Sequence, residues 1–210
     1  MTPYFLADQI ERSRANLGVD TIDVFYLHNP ETQLGGRTPA EFERAIGCAF
    51  VELERQAERG KIRWFGAATW NGFRMKGALS LPRLAAIAIE ECGPEHHFRF
   101  IQLPFNLGMV EAYTARPDNV LRAAGSLGIA VVASAALSQA RVLHEMPAGI
   151  AAQMPGLTTS AQRAIQFTRS TPGISVALAG MGRREHVIEN LGVAKVPPLD
   201  RESYERLYRR

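Results

Sequence analysis

The side chains in this sequence that could do chemistry sit where apolar runs end. His28 closes the run TIDVFYL in the stretch TIDVFYLHNP. An imidazole can donate a hydrogen bond to a carbonyl, exchange a proton near neutral pH or ligate a metal. The bland alternative is a histidine that caps a strand and bonds a loop carbonyl. Regular alternation through the run would put Ile22, Val24, Tyr26 and His28 on one face. Gln102 and Asn106, in FIQLPFNL, surround the end of another run. A buried amide there needs partners, which a cofactor carboxamide or a loop carbonyl would supply equally well. Thr69, Trp70 and Asn71 end a third run, with Trp70 expected to pack at a core or rim rather than to act as a stacking platform. A further stretch, GMGRREHVIEN, leads from a strand end straight into a helical pattern. Main-chain N–H groups at a helix start favour anions, and Arg183 and Arg184 could add charge-assisted bonds to phosphate. The alternative is a solvated basic turn.

Other polar clusters carry less. His96 and His97 lie near Cys92 and Glu95, but adjacent residues rarely point at one ion and neither CxxC nor HExxH frames them, so no metal is expected. His144 stands in a long loop without a supporting pattern. No GxSxG elbow marks a serine nucleophile. Asp23, inside the first run, is expected to be a hydrogen-bonded structural residue, because an unpaired buried charge is costly. Cys48 and Cys92 are far apart and read as small buried hydrophobes in a reducing, cytoplasmic protein.

The elements that must position these residues come in a repeating unit. The 210 residues are 46% hydrophobic and 21% charged with a net charge of +3, the composition of a single globular domain spanning 1–210. The one dense basic cluster, ERLYRR, is terminal, and the lack of a basic stripe argues against nucleic acid. No run approaches the roughly 20 apolar residues of a membrane span. The start, MTPYFLADQIERS, lacks a signal-peptide pattern and reads as an amphipathic helix, as if the chain began mid-fold. Leu6, Ile10 and Leu17 are expected on one face of that helix, and Phe42, Ile46, Ala49, Leu53 and Ala57 on one face of the next. Each helical stretch ends near a glycine (Gly18, Gly60, Gly93, Gly128 and Gly173) that precedes a short apolar run. Pro39, Pro82 and the pair Pro117-Asp118 mark helix starts.

Apolar strands alternating with helices indicate a parallel sheet, either doubly wound or part of a barrel. No GxGxxG follows the first strand, and the long polar loops all come after strands, which favours a barrel working at the C-terminal ends of its strands. Strands are expected near 21–27, 62–68, 98–103, 129–135 and 174–180. Five strands cannot close an eight-stranded barrel.

LGVDTIDVFYLHNP, GKIRWFGAATWN, FIQLPFNL, GIAVVASAAL and AQRAIQF…TPGISVALAGMGRREHVIENL resemble, in that order, the later segments of aldo-keto reductases. The resemblance implies a partial (β/α)8 TIM barrel, about five βα units corresponding to strands four to eight. It also implies NADP(H) as cofactor and reduction of aldehydes or ketones by hydride transfer. His28 matches the histidine that orients the substrate carbonyl, and Gln102 the glutamine that holds the nicotinamide carboxamide. Gly180, Met181, Gly182, Arg183, Arg184 and His186 fall on the loop and helix start that grip the 2′-phosphate, with Glu189 and Asn190 at the adenine. Ala68-Thr69 stands where many members have Ser-Asn, so only the Thr69 hydroxyl can substitute at the carboxamide. Ser134 replaces a stacking tyrosine, and His186 a frequent arginine, which leaves NAD(H) open beside NADP(H). The family's aspartate, tyrosine and lysine come from its first three strands, which have no counterpart in this sequence. The expectation is an N-terminally truncated barrel domain, inactive by itself, with exposed edges that invite self-association. The competing reading is a cofactor-binding or regulatory protein of the same descent.

Overall fold

The computed structural model describes residues 2–75, 77–115, 119–144 and 146–208. Pro117 and Asp118, expected at a helix start, lie outside them. Helices and strands alternate: α1 (Pro3–Leu17), β1 (Ile22–His28), α2 (Pro39–Glu58), β2 (Ile62–Ala68), α3 (Leu81–Cys92), β3 (Phe98–Pro104), α4 (Glu111–Thr114) and α5 (Val120–Ser126). There follow β4 (Ala130–Ser134), α6 (Arg141–His144), α7 (Ala148–Gln153), α8 (Ser160–Arg169), β5 (Val176–Ala177), α9 (Arg184–Leu191) and α10 (Arg201–Arg206). The strands form one sheet in the order β1-β2-β3-β4-β5, with parallel pairing, and the sheet does not close into a barrel. The chain divides into two compact units, residues 1–102 with 123–130 and residues 103–122 with 131–210.

In the first unit the helix ends follow from single side chains. The Thr2 hydroxyl accepts the Phe5 N–H, Pro3 occupies a position where no N–H is needed, and Gly18 takes a left-handed φ of 66°. That turn lets the Gly18 and Val19 N–H groups return to the Ala15 and Arg14 carbonyls. Thr38 and Glu41 cap α2 reciprocally. Phe42, Ile46, Ala49 and Leu53, spaced at helical intervals, are all buried. Phe50 of α2 stacks on Phe98 of β3 at 4.9 Å and tilts against Phe65 of β2 at 5.3 Å. β2 shifts register between Phe65 and Gly66. A Cβ on Gly66 would lie 2.2 Å from the Phe100 carbonyl oxygen, so only glycine allows this approach.

The second unit is centred on aromatic rings. Phe105 stacks on Phe167 at 5.9 Å, Phe167 tilts on Tyr204 at 5.3 Å, and Tyr113 meets Tyr204 edge-on. Tyr204 is fully buried, and its phenol oxygen accepts the Thr171 hydroxyl at 2.7 Å.

Several expectations are corrected. β5 is two residues long, not 174–180. On its flanks the Ser175 and Leu178 N–H groups reach the Val131 and Ala133 carbonyls, and the side chains of Val176 and Leu178 are exposed. Leu17 is exposed, as the last residue of α1 before the chain turns away at the left-handed Gly18. Cys48 is exposed rather than buried. Asp23 is 79% exposed and pairs with Arg63 at 3.3 Å, so water and an ion pair offset its charge. GMGRREHVIEN does not pass straight from strand to helix, since residues 178–183 form a loop between β5 and α9.

Candidate active site

In the first unit, three strand ends bring candidates to one level. His28 is the last residue of β1 and pairs in register with Ala68, the last of β2; Ala68 pairs with Gln102 of β3. Paired residues of parallel strands project to the same side, and two strand spacings separate the first and third Cα by about 10 Å. His28 is exposed and Gln102 half-buried. Neither the imidazole nor the Gln102 amide makes a hydrogen bond among the described residues, so both keep their polar capacity for a ligand.

The loops after the strands are tied to this row. The Asn29 N–H donates to the Ala68 carbonyl at 2.6 Å, with Asn29 at a left-handed φ of 47°. Thr69 is buried; its N–H donates to the Gln102 carbonyl at 2.9 Å and its hydroxyl to the same oxygen at 3.4 Å. The hydroxyl's lone pairs remain available as acceptors. Trp70 is about half exposed.

Two neighbours were not among the expected site residues. Glu31, in the 3-10 turn Pro30–Gly36, accepts the N–H groups of Trp70, Asn71 and Gly72 on one carboxylate oxygen. Nothing in the local pattern NPETQ signals a contact some 40 residues along the chain; only the register of β1 on β2 creates it. Tyr26 shares the face of His28 one row below, beside Gly66, and burial pushes its phenol up to about 12. A groove of about 310 Å3 is lined by Phe25 and Leu27 from one face of β1 and by Tyr26 and His28 from the other. It therefore follows the outer edge of that strand.

In the second unit, Ser134 ends β4 half-buried, its carbonyl accepting the Phe105 N–H. Gly180, Met181 and Gly182 lie exposed in the loop before α9, and a Cβ on either glycine would meet nothing within 4 Å. Arg183 takes the N-cap position without a capping side chain, Arg184 begins the helix, and His186 follows in its first turn; all three are exposed. Neither arginine has an ion-pair partner among the described residues. Glu189 is half-buried and its carbonyl accepts the Gln162 amide at 2.7 Å. Asn190 is buried, and its side-chain oxygen lacks a hydrogen-bond partner among the described residues.

Asn106 is a structural amide: it donates to the Ala135 carbonyl and accepts the Gly108 N–H, both at 2.9 Å. His97 is engaged by Glu54, through its ring at 2.5 Å and its N–H at 2.9 Å. Among the described residues no group of three His, Cys, Asp or Glu side chains could hold a metal, and no helix is long and apolar enough to cross a membrane.

Residues 1–153 match the Aldo/keto reductase family. The chain belongs to that family. Solved aldo-keto reductases share its fold. One from Bacillus halodurans, in its holo form, has a TM-score of 0.63 at 16% identity over 98% of this chain and 67% of its own. One from Klebsiella pneumoniae, in complex with NADP and acetate, has 0.67 at 20% identity over 97% and 64%. A glycerol dehydrogenase from Gluconobacter oxydans has 0.68 at 18% identity over 98% and 63%. The chain thus spans about two thirds, or somewhat less, of the solved reductases it resembles. No curated protein matches it. Within this aldo/keto reductase, His28, Thr69, Gln102 and Ser134 lie inside the matched residues, while Gly180 to Asn190 lie beyond them.

Proposed function

We propose that this aldo/keto reductase chain is one barrel domain carrying the βα units that correspond to strands four to eight of an NADP(H)-dependent carbonyl reductase. The row His28, Ala68, Gln102 carries the reading: it sets an uncommitted imidazole and an uncommitted amide on one side of adjacent strand ends. When bound, NADPH supplies the hydride. In the first unit, the Gln102 amide would donate to and accept from the nicotinamide carboxamide, with the Thr69 hydroxyl as a further acceptor. His28 would donate a ring N–H to the substrate carbonyl oxygen, polarising and orienting it. In the second unit, Arg183, Arg184, His186 and the first N–H groups of α9 suit a 2′-phosphate, and the bare main chain at Gly180 and Gly182, flanking Met181, allows close approach. Asn190 and Glu189 are assigned to the adenine, and the orphaned Asn190 oxygen suits its exocyclic amine. Ser134 is left to contact the nicotinamide without stacking on it.

By itself the chain is expected to bind and not to turn over. The phenol that shares the face of His28 on β1, Tyr26, is tuned away from neutral pH, the wrong direction for a proton donor. The two free thiols suit a reducing cytoplasm. A fluorescence titration with NADPH and with NADH, run beside an aldehyde-dependent oxidation assay, tests the reading. Saturable binding that favours NADPH, without oxidation, is the expected result. Turnover by the pure chain would overturn the inactivity, and absence of binding the cofactor assignment.

The apolar groove along β1 and the exposed Val176 and Leu178 at β5 support self-association of the isolated chain. Light scattering should give a mass that rises with concentration; a constant monomer mass would exclude it.

A further inference from the structure

Glu31 stands three residues beyond His28, and its Oε1 accepts the N–H groups of Trp70 at 3.0 Å, Asn71 at 3.1 Å and Gly72 at 3.0 Å. Three successive main-chain N–H groups converging on one point make an anion-binding concavity. Hydrogen bonds to a charged oxygen are about twice as strong as neutral ones. The other oxygen, Oε2, is buried and has no hydrogen-bond partner among the described residues. Leaving a carboxylate oxygen so is unfavourable. The three N–H groups on Oε1 must outweigh it.

What this contact joins is the loop behind His28 and the turn behind Thr69. Asn29 already reaches across to Ala68 through its N–H, and Thr69 to Gln102 through its N–H and hydroxyl. Glu31 closes the chain of contacts from the third side. Beside those bonds and the local ones such as Thr32 N–H to the Asn29 carbonyl and Leu79 N–H to the Gly72 carbonyl, Glu31 ties the loop beginning at Asn29 directly to the turn beginning at Thr69.

We propose that Glu31 is a positioning residue: its carboxylate fills a nest in the turn after β2 and so holds His28, Thr69 and Gln102 in a fixed relation. The proposal rests on the NADP(H) reading above. A tie of purely structural value would lower stability on removal but leave cofactor affinity in the folded protein unchanged. A positioning role lowers the affinity itself, and a small anion that refills the nest restores it.

The test uses the full chain with Glu31→Ala and Glu31→Gln. NADPH affinity is measured with and without added formate, and exchange of the amides of residues 70–72 is followed by NMR. Glu31→Ala should weaken NADPH binding about tenfold, the scale of a lost charge-assisted bond, and expose the three amides. Formate should restore both in that variant and change neither in the parent. Glu31→Gln, which keeps an acceptor oxygen and the shape, should fall between. If Glu31→Ala does not fold, parental affinity in Glu31→Gln would overturn the proposal. So would parental affinity in Glu31→Ala, or amide protection recovered with formate while affinity is not. A parent chain that fails to bind NADPH would overturn the cofactor reading and this proposal together. A parent that binds beside an alanine variant that binds equally would overturn this proposal alone.

Discussion

His28 and Gln102 stand in one row of the sheet with only Ala68 between them. The smallest side chain of the three is the middle one, so no bulky group stands between the outer two, although Ala68 itself is buried. An imidazole and an amide whose Cα atoms lie about 10 Å apart across two strand spacings can address different groups of one ligand rather than each other.

Their separate roles can be told apart by binding. Gln102→Ala should weaken NADPH about tenfold, the worth of a lost amide pair, with unchanged far-UV circular dichroism. His28→Ala should keep the parental affinity within about threefold, because its assigned partner is the substrate carbonyl. Fluorescence titration of both variants checks this, and the reverse order of effects would exchange their roles.

Gly66 is the point where β2 and β3 admit no side chain. Gly66→Ala would drive a methyl group into the Phe100 carbonyl, 2.2 Å from its oxygen, and the strands must part. A loss of about 2–3 kcal/mol is expected, at the upper end for overpacking. Urea midpoints measure it, and a loss below about 0.5 kcal/mol would mean the sheet relaxes there freely.

The strand ends were legible in the sequence because an apolar run that breaks into polar residues marks its own terminus. His28, Thr69 and Gln102 were singled out that way, whereas Ser134 came only from the family resemblance. The row shared by His28 and Gln102 was not legible, because register between parallel strands is set by packing. The slip beside Gly66 has no local signal. Glu31 was missed for a related reason: its partners are three main-chain N–H groups, which carry no residue type to recognise. Leu17 and Cys48 kept the helical spacing of buried residues, but spacing does not show where the core stops. The run 174–180 looked like a full strand because it is almost entirely apolar, yet only its centre pairs as one.

Alkaline pH should destabilise the fold. Burial pushes Tyr26 and Tyr208 up to about 12 each and raises Tyr204 as well. A phenol raised in the folded state stays protonated where the unfolded chain, ionising near 10, has begun to release its proton. These groups' contribution is therefore fully present below about pH 10 and lost as pH rises toward 12. Unfolding midpoints taken between pH 8 and 12, beside tyrosinate absorbance, would show the decline. Stability that holds level to pH 12 would contradict it.

The two thiols should differ in reactivity. Burial, with Glu54, Glu91 and Glu58 nearby, pushes Cys92 up to about 12, so almost none is thiolate at pH 8, whereas Cys48 is exposed. Alkylation followed by peptide mass spectrometry should label Cys48 at least about tenfold faster than Cys92. Equal rates would show that α3 opens readily.

The grip of Glu31 on the turn after β2 has a consequence for how this protein can diverge. It reads amide hydrogens, which nineteen of the twenty residue types present alike, so positions 70 and 71 are released to drift while the geometry they belong to is inherited intact. Proline alone is barred at both, for want of an N–H. Gly72 is further restrained by Leu79 and Thr69, which leave no room for a Cβ. Tethered by one carboxylate and two strand ends, the rim of this sheet can change its chemistry toward a ligand without changing its shape.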